Sequence, residues 1–258
     1  MKKSFYSLVI AAVMCGSSLF AQSVDQGKKF FYYERYKSAK ENFEKVLAAN
    51  PNDLNAIYWL GQTLIEMKDV PGAKAVYAKA LETNGNAPLL LAGMGHIELL
   101  EGKKDIARQH FETAISISKG KDGPVLNAIG NANVDSKDGD ANYVITKLTP
   151  YTQDKKFKDA ETWLQIGDAY RVLVDGGNAV TAYQKALAID PTLAAAKHRI
   201  ARIYLTQKNP ESFLPAYEEA IALDPNYAPS VYDLYVYWYD RDINKAKTYY
   251  DKYLTISD

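Results

Sequence analysis

The chain has 258 residues, 47% of them apolar, with 31 lysine and arginine side chains against 31 aspartates and glutamates. That balance suits a protein with a buried core, excludes a disordered tail and leaves no surplus of positive charge for nucleic-acid phosphates. One cysteine, Cys15, excludes a disulfide framework.

The first element stands apart from the rest. Lys2 and Lys3 precede the apolar run from Leu8 to Met14, and small residues and "SLFAQ" follow. This reads as a secretory signal peptide over residues 1–21, with cleavage expected after Ala21, although Leu19 is larger than the residue usual at that place. Cleavage there would leave 29 basic and 31 acidic side chains and no cysteine. In the alternative reading Cys15 resembles the lipid-carrying cysteine of bacterial lipoproteins, although Met14 stands where a small residue is usual. Beyond the leader no apolar run approaches the ~20 residues that cross a bilayer. The expected location is the periplasm or the periplasmic face of the outer membrane.

From Gln22 onward the sequence repeats itself. Gly27, Gly61 and Gly95 are each 34 residues apart, and Gly167 in "WLQIGDAY" echoes Gly61 in "WLGQTL". An alanine follows each at the same interval (Ala39, Ala73, Ala107, Ala179), then an aromatic (Phe43, Tyr77, Phe111, Tyr183), then Val46, Ala80, Ala114 or Ala186. "LNAIYWLGQTLIEMKD" reads as a helix, yet a glycine inside a helix costs roughly 1 kcal/mol relative to alanine. The expected compensation is close approach of paired helices at these small residues, with the aromatics filling the next layer.

Seven units follow in order, over about 22–52, 53–87, 88–121, 122–159, 160–193, 194–227 and 228–258. The fourth is degenerate, with Gly130 at the crossing, Ala141 one residue early and Ile145 in place of the aromatic. The sixth has Ala201 for the glycine and Phe213 for the later alanine. The seventh puts Tyr235 at the crossing with a shortened turn, so its first helix is expected to pack loosely. "EMKDVPGA", "LEGKKDIA", "SKDGDA" and "VDGGNA" are predicted turns within units, and "NPND", "IDPT" and "LDPN" stop second helices. Residues 149–159 read as a ragged helix end and a joint. No segment reads as a strand.

These positions resemble the tetratricopeptide repeat (TPR), a 34-residue helix-turn-helix motif with small residues where the helices cross. The resemblance implies an all-α fold, a right-handed superhelical solenoid of about seven units whose concave face binds peptides or folded partners. A carboxylate-binding clamp, as some family members carry, is not expected: Lys28 matches one position, but Gln62, Leu89, Leu164 and Asp168 do not supply the rest. The leader and tyrosine-rich repeats also resemble those of exported Bacteroidota proteins.

No catalytic or metal constellation emerges. His96, His110 and His198 lie far apart without metal-ligand spacing, and His96 and His198 read as partly exposed helix residues. "DSKDGDANY" alternates acids like a calcium loop, but Tyr143 stands where glycine is needed and Thr149 where the closing glutamate belongs, so it reads as a solvated turn. Phosphate-loop and nucleophile-elbow motifs are missing. The expected function is a non-enzymatic scaffold of the bacterial cell envelope that binds a protein or peptide, with no cofactor, metal or nucleic acid. Candidate groove residues are Tyr58, Gln62, His96, Asp168, Arg171, His198, Arg202 and Tyr232. The alternatives are a glycan- or peptidoglycan-binding module using surface tyrosines, and an enzyme domain completed by a partner. The tyrosine-rich final unit, with Tyr227, Tyr232, Tyr235, Tyr237, Tyr239, Tyr249, Tyr250 and Tyr253, offers a surface for end-to-end self-association.

Overall fold

The computed structural model describes residues 23–154, 156 and 158–258, and among them every regular element is a helix. The expected signal peptide and Cys15 lie outside the described residues. Seven helix hairpins follow one another: α1 (Val24–Tyr32) with α2 (Tyr36–Ala49), α3 (Leu54–Glu66) with α4 (Val70–Thr83), α5 (Pro88–Leu100) with α6 (Lys104–Ser118), α7 (Gly123–Asp135) with α8 (Ala141–Thr152), α9 (Ala160–Val172) with α10 (Gly176–Ile189), α11 (Ala194–Thr206) with α12 (Pro210–Leu223), and α13 (Ala228–Tyr239) with α14 (Ile243–Ile256). The odd-numbered helices form the inner layer of a superhelix and the even-numbered ones its outer layer.

Aspartates start half of these helices. Asp53, Asp69, Asp122, Asp140, Asp159, Asp175 and Asp242 each accept a first-turn backbone N–H. Such caps are worth about 1 kcal/mol each, because the first N–H groups of a helix otherwise lack partners. The "DSKDGDANY" acids are bound rather than merely solvated: Asp140 caps α8 and pairs with Arg108 at 2.8 Å, and Asp138 pairs with Lys104 at 2.9 Å.

Five hairpins share one turn. Glu34, Lys68, Gly102, Val174 and Lys208 take left-handed φ values of 59°, 66°, 75°, 61° and 56°. The residue after each donates its N–H to a carbonyl five residues back, as Arg35 does to Phe30 (2.9 Å) and Asp69 to Leu64 (2.8 Å). This is a Schellman stop, which satisfies carbonyls left open at the helix end. In "VDGGNA" the left-handed residue is Val174, while Gly176 and Gly177 already belong to α10.

The recurring glycines answer to rings on the paired helix. A Cβ at Gly61 would lie 2.2 Å from the Tyr77 ring, at Gly27 2.4 Å from Phe43, at Gly95 2.4 Å from Phe111 and at Gly167 2.4 Å from Tyr183. All four rings are buried. Absence of a side chain lets the ring lie flat on the helix backbone, and the burial outweighs the lost helix propensity.

The degenerate fourth unit is built otherwise. Gly130 faces Gln165 of α9, with a would-be Cβ 2.6 Å from the Gln165 Cβ, and Leu148 of α8, at 3.3 Å, stands in place of the ring rather than the expected Ile145. The continuous core from Ala39 to Tyr143 ends here, and three smaller clusters succeed it. In the seventh unit the expectation of loose packing is corrected. α13 lies closely on α14, with Val231 and Leu234 fully buried and Tyr235 tilted onto Tyr250 at 5.2 Å. The Tyr235 ring lies among those of Tyr232, Tyr239 and Tyr250.

Candidate functional site

The inner helices enclose a channel of about 940 Å³, lined from α1 round to the start of α13. Trp59, Tyr58, Phe31, Tyr32, Tyr36 and Tyr227 supply its aromatic wall, and Asn55, Gln62, Asn127, Asn131 and Gln165 supply amides. Phe31 and Tyr32 meet Trp59 edge-on at 5.2 and 5.7 Å, and the Lys28 ammonium lies 5.3 Å over the indole. Six carboxylates (Asp25, Glu34, Asp159, Glu161, Asp190, Asp224) face four cations (Lys28, Lys29, Lys158, Arg199) along the lining.

Two residues of the lining keep a buried polar atom without a partner. Gln165 is 6% exposed and its Oε1 has no hydrogen-bond partner. Arg199, on the next inner helix, holds Asp168 through Nε at 3.2 Å while its buried Nη1 has no partner. Unpaired buried donors and acceptors are costly, roughly 1–3 kcal/mol each, so an occupant that bonds to them recovers that cost. Asn127 is already committed, donating to Asp159 (3.0 Å) and accepting from the Thr162 hydroxyl (2.7 Å).

Of the eight residues singled out in the sequence, Tyr58 and Gln62 line the channel. Both are tied down: the Tyr77 hydroxyl donates to the Tyr58 carbonyl and accepts from Gln62 Nε2, each at 2.8 Å, and Gln62 Oε1 meets His96 Nδ1 at 3.1 Å. The partly exposed reading of His96 and His198 is corrected, since both are buried between inner helices, His198 against the Ser230 hydroxyl at 3.1 Å. Burial pulls the His96 ring down to about 4 and the His198 ring, with help from Arg202 and Arg199, to about 3. Asp168 is buried and shared, accepting from the Tyr183 hydroxyl (2.8 Å) and from Nε of Arg171 (3.3 Å) and of Arg199. Arg171 and Arg202 are exposed outside the cavity lining, and Tyr232 packs at 5.3 Å on Tyr253 at the end of the stack. Gln165 and Arg199 escaped the sequence reading. Each lies two residues before its crossing residue, Gly167 or Ala201, in the register that Trp59 holds before Gly61, and that register was the available signal.

Carboxylates also gather where the inner helices end. Glu34 is held above the usual carboxylate range by its enclosure and by Glu66 and Asp233, with Arg202 opposing. Asp135 is pushed up to about 6 by enclosure and by Glu66 and Asp168, against Arg199 and Arg171. Among the described residues no group of three His, Cys, Asp or Glu could hold a metal, and no helix is long and apolar enough to cross a membrane.

Stacked helix hairpins around an amide- and ring-lined channel define a helical-repeat protein with an extended concave face. Tetratricopeptide repeat models match residues 31–97, 160–193 and 194–227, together about half of the chain, which belongs to that family. The chloroplastic PsbB mRNA maturation factor Mbb1 of Chlamydomonas reinhardtii is 29% identical over 83 residues, 32% of this chain and 12% of that protein. Human IFIT1, solved as a dimer with m7Gppp-AAAA, superposes with a TM-score of 0.61 at 15% identity, covering 86% of this chain and 55% of that one. Pseudomonas aeruginosa PilF gives a TM-score of 0.51 at 17% identity over 76% of this chain and 87% of that one. At these identities the structural likeness is one of fold.

Proposed function

We propose that the chain is a non-enzymatic scaffold of the bacterial cell envelope whose channel binds an extended segment of a protein partner. One observation carries this reading: Gln165 and Arg199 line the channel, each with an orphaned polar atom, Oε1 or Nη1, in its wall. An acceptor and a donor on adjacent inner helices suit peptide amides, which offer an N–H to the glutamine and a carbonyl to the guanidinium. The Trp59 and Tyr58 wall adds apolar area for a side chain of the same segment. The leader and the family's use of its concave face support the envelope and partner-binding parts. Six lining carboxylates against four cations disfavour a phosphate-rich ligand such as the m7Gppp-AAAA of the IFIT1 structure, because phosphates need a net positive surface.

Pull-down from envelope extracts tests this. The wild-type chain should retain a protein that Gln165→Ala and Arg199→Gln lose, with helical content unchanged. Equal capture by folded variants would overturn it, as would turnover of a substrate by the purified chain.

The exposed rings of the seventh unit favour a second reading. Tyr232, Tyr239 and Tyr250 are 46%, 56% and 42% exposed, and flat rings of that kind stack on sugars or on a second copy of the same face. Retention on insoluble cell wall, weakened by Tyr239→Ala, would mark glycan binding. Concentration-dependent sedimentation would mark end-to-end self-association.

A further inference from the structure

The superhelix comes round far enough for its first hairpin to meet later ones. The Tyr33 hydroxyl donates to Asp224 Oδ2 at 2.8 Å, and the Tyr32 hydroxyl donates to Glu161. Arg35 Nε and the Ser38 hydroxyl donate to Asp258 Oδ1 at 3.0 and 2.7 Å, while the Ser38 N–H donates to Asp258 Oδ2 at 3.0 Å. These partners are separated by 129 to 223 positions in the chain. Neighbouring hairpins elsewhere bury rings and alanines against one another. This seam has no such filling: among the described residues no apolar cluster joins α1 and α2 to α13 and α14, and most of its bonds lie at exposed positions.

We propose that this seam is a latch, from which the α1–α2 hairpin swings away to open the channel along its side and to which it returns to close the channel round an occupant. Exposed ion pairs and hydrogen bonds exchange for water at little net cost and are screened by salt, so the seam opens long before the apolar stack does. Contacts of both helices with α3, Phe31 of α1 against Trp59 and Phe43 of α2 inside the first core, keep the hairpin attached. With the latch shut, the channel admits a chain end and not a folded domain from the side. The latch does not depend on what occupies the channel.

Spin labels on Lys37→Cys and Lys247→Cys, in a Cys15→Ser background, read the seam by pulsed electron resonance, and labels on Lys79→Cys and Lys104→Cys form a control pair within the stack. At low salt the seam pair should give one narrow distance. Raising salt to about 0.5 M, where screening reaches a few ångströms, or introducing Arg35→Glu should add a longer distance with at least tenfold greater population, while the control pair stays fixed. Asp258→Asn, which keeps an acceptor for Ser38 and removes the ion pair, should add the longer distance to a smaller extent than Arg35→Glu. A seam distance indifferent to both salt and Arg35→Glu would show a fixed closure and overturn the proposal. So would a broad distribution already present at low salt.

Discussion

At the scale of single residues, steric fit and backbone strain decide opposite cases. Gly61→Ala places a methyl 2.2 Å from the buried Tyr77 ring, which is held by bonds to Tyr58 and Gln62 and has no room to turn. Overpacking of this kind costs about 1–3 kcal/mol, and urea denaturation should show a loss of about 2 kcal/mol. Val174 is the converse: a β-branched residue at φ 61° and 90% exposed, strained without packing in return. Val174→Asn should raise stability by about 1 kcal/mol in the same assay. The histidines set an acid limit. In the unfolded chain they titrate near 6.5, whereas buried His96 and His198 resist protonation down to about 4 and 3. Their contribution is therefore full above about pH 6.5 and lost as pH falls through that value, on the order of 3 kcal/mol from His96 by pH 4. Asp135 works the other way, since its raised pKa makes the charged form unfavourable as pH rises through about 6. The readout is thus the difference between wild type and His96→Gln at pH 7.5 and 4.5, which should narrow on acidification.

At the scale of elements, the hydroxyls of the second helices reach the inner layer. Tyr77 reaches Gln62, Tyr183 reaches Asp168 and Tyr217 reaches Asp233 at 2.8 Å in each case, and Asp168 also joins α9 to α11 through Arg199. Asp168→Ala removes the carboxylate shared by two guanidiniums and a phenol. Arg171 can turn to solvent but Arg199 cannot fully, so a loss of about 3 kcal/mol is expected by thermal or urea unfolding, and less for Asp168→Asn, which keeps hydrogen bonds. The hairpins themselves were legible from glycine, alanine and aromatic spacing, because that spacing records a contact between helices close in sequence. The left-handed stops were not, since Glu34, Lys68, Val174 and Lys208 share no side-chain feature and the backbone bonds do the work. Nor were the buried histidines: their helical phase points inward, and only the neighbouring helices show that Gln62 and Ser230 consume their hydrogen bonds.

At the scale of the molecule, the stack is a series of nearest-neighbour interfaces of unequal strength. The fourth hairpin is the weak member, with Gly130 spent on Gln165 instead of a ring, α7 meeting α8 sparsely and Pro150 inside α8. Hydrogen exchange should therefore release residues 123–152 before the second and fifth hairpins, through local opening well below global unfolding. Uniform protection along the chain would contradict this ranking. Meeting of the first and last hairpins carries one further consequence. The described hairpins bring Ser38 and Asp258 together, a contact that an open coil of the same hairpins would lose. Insertion of a further hairpin between them would carry Asp258 past Ser38 by about the thickness of a packed helix layer, roughly 10 Å, and turn an enclosing collar into a spiral.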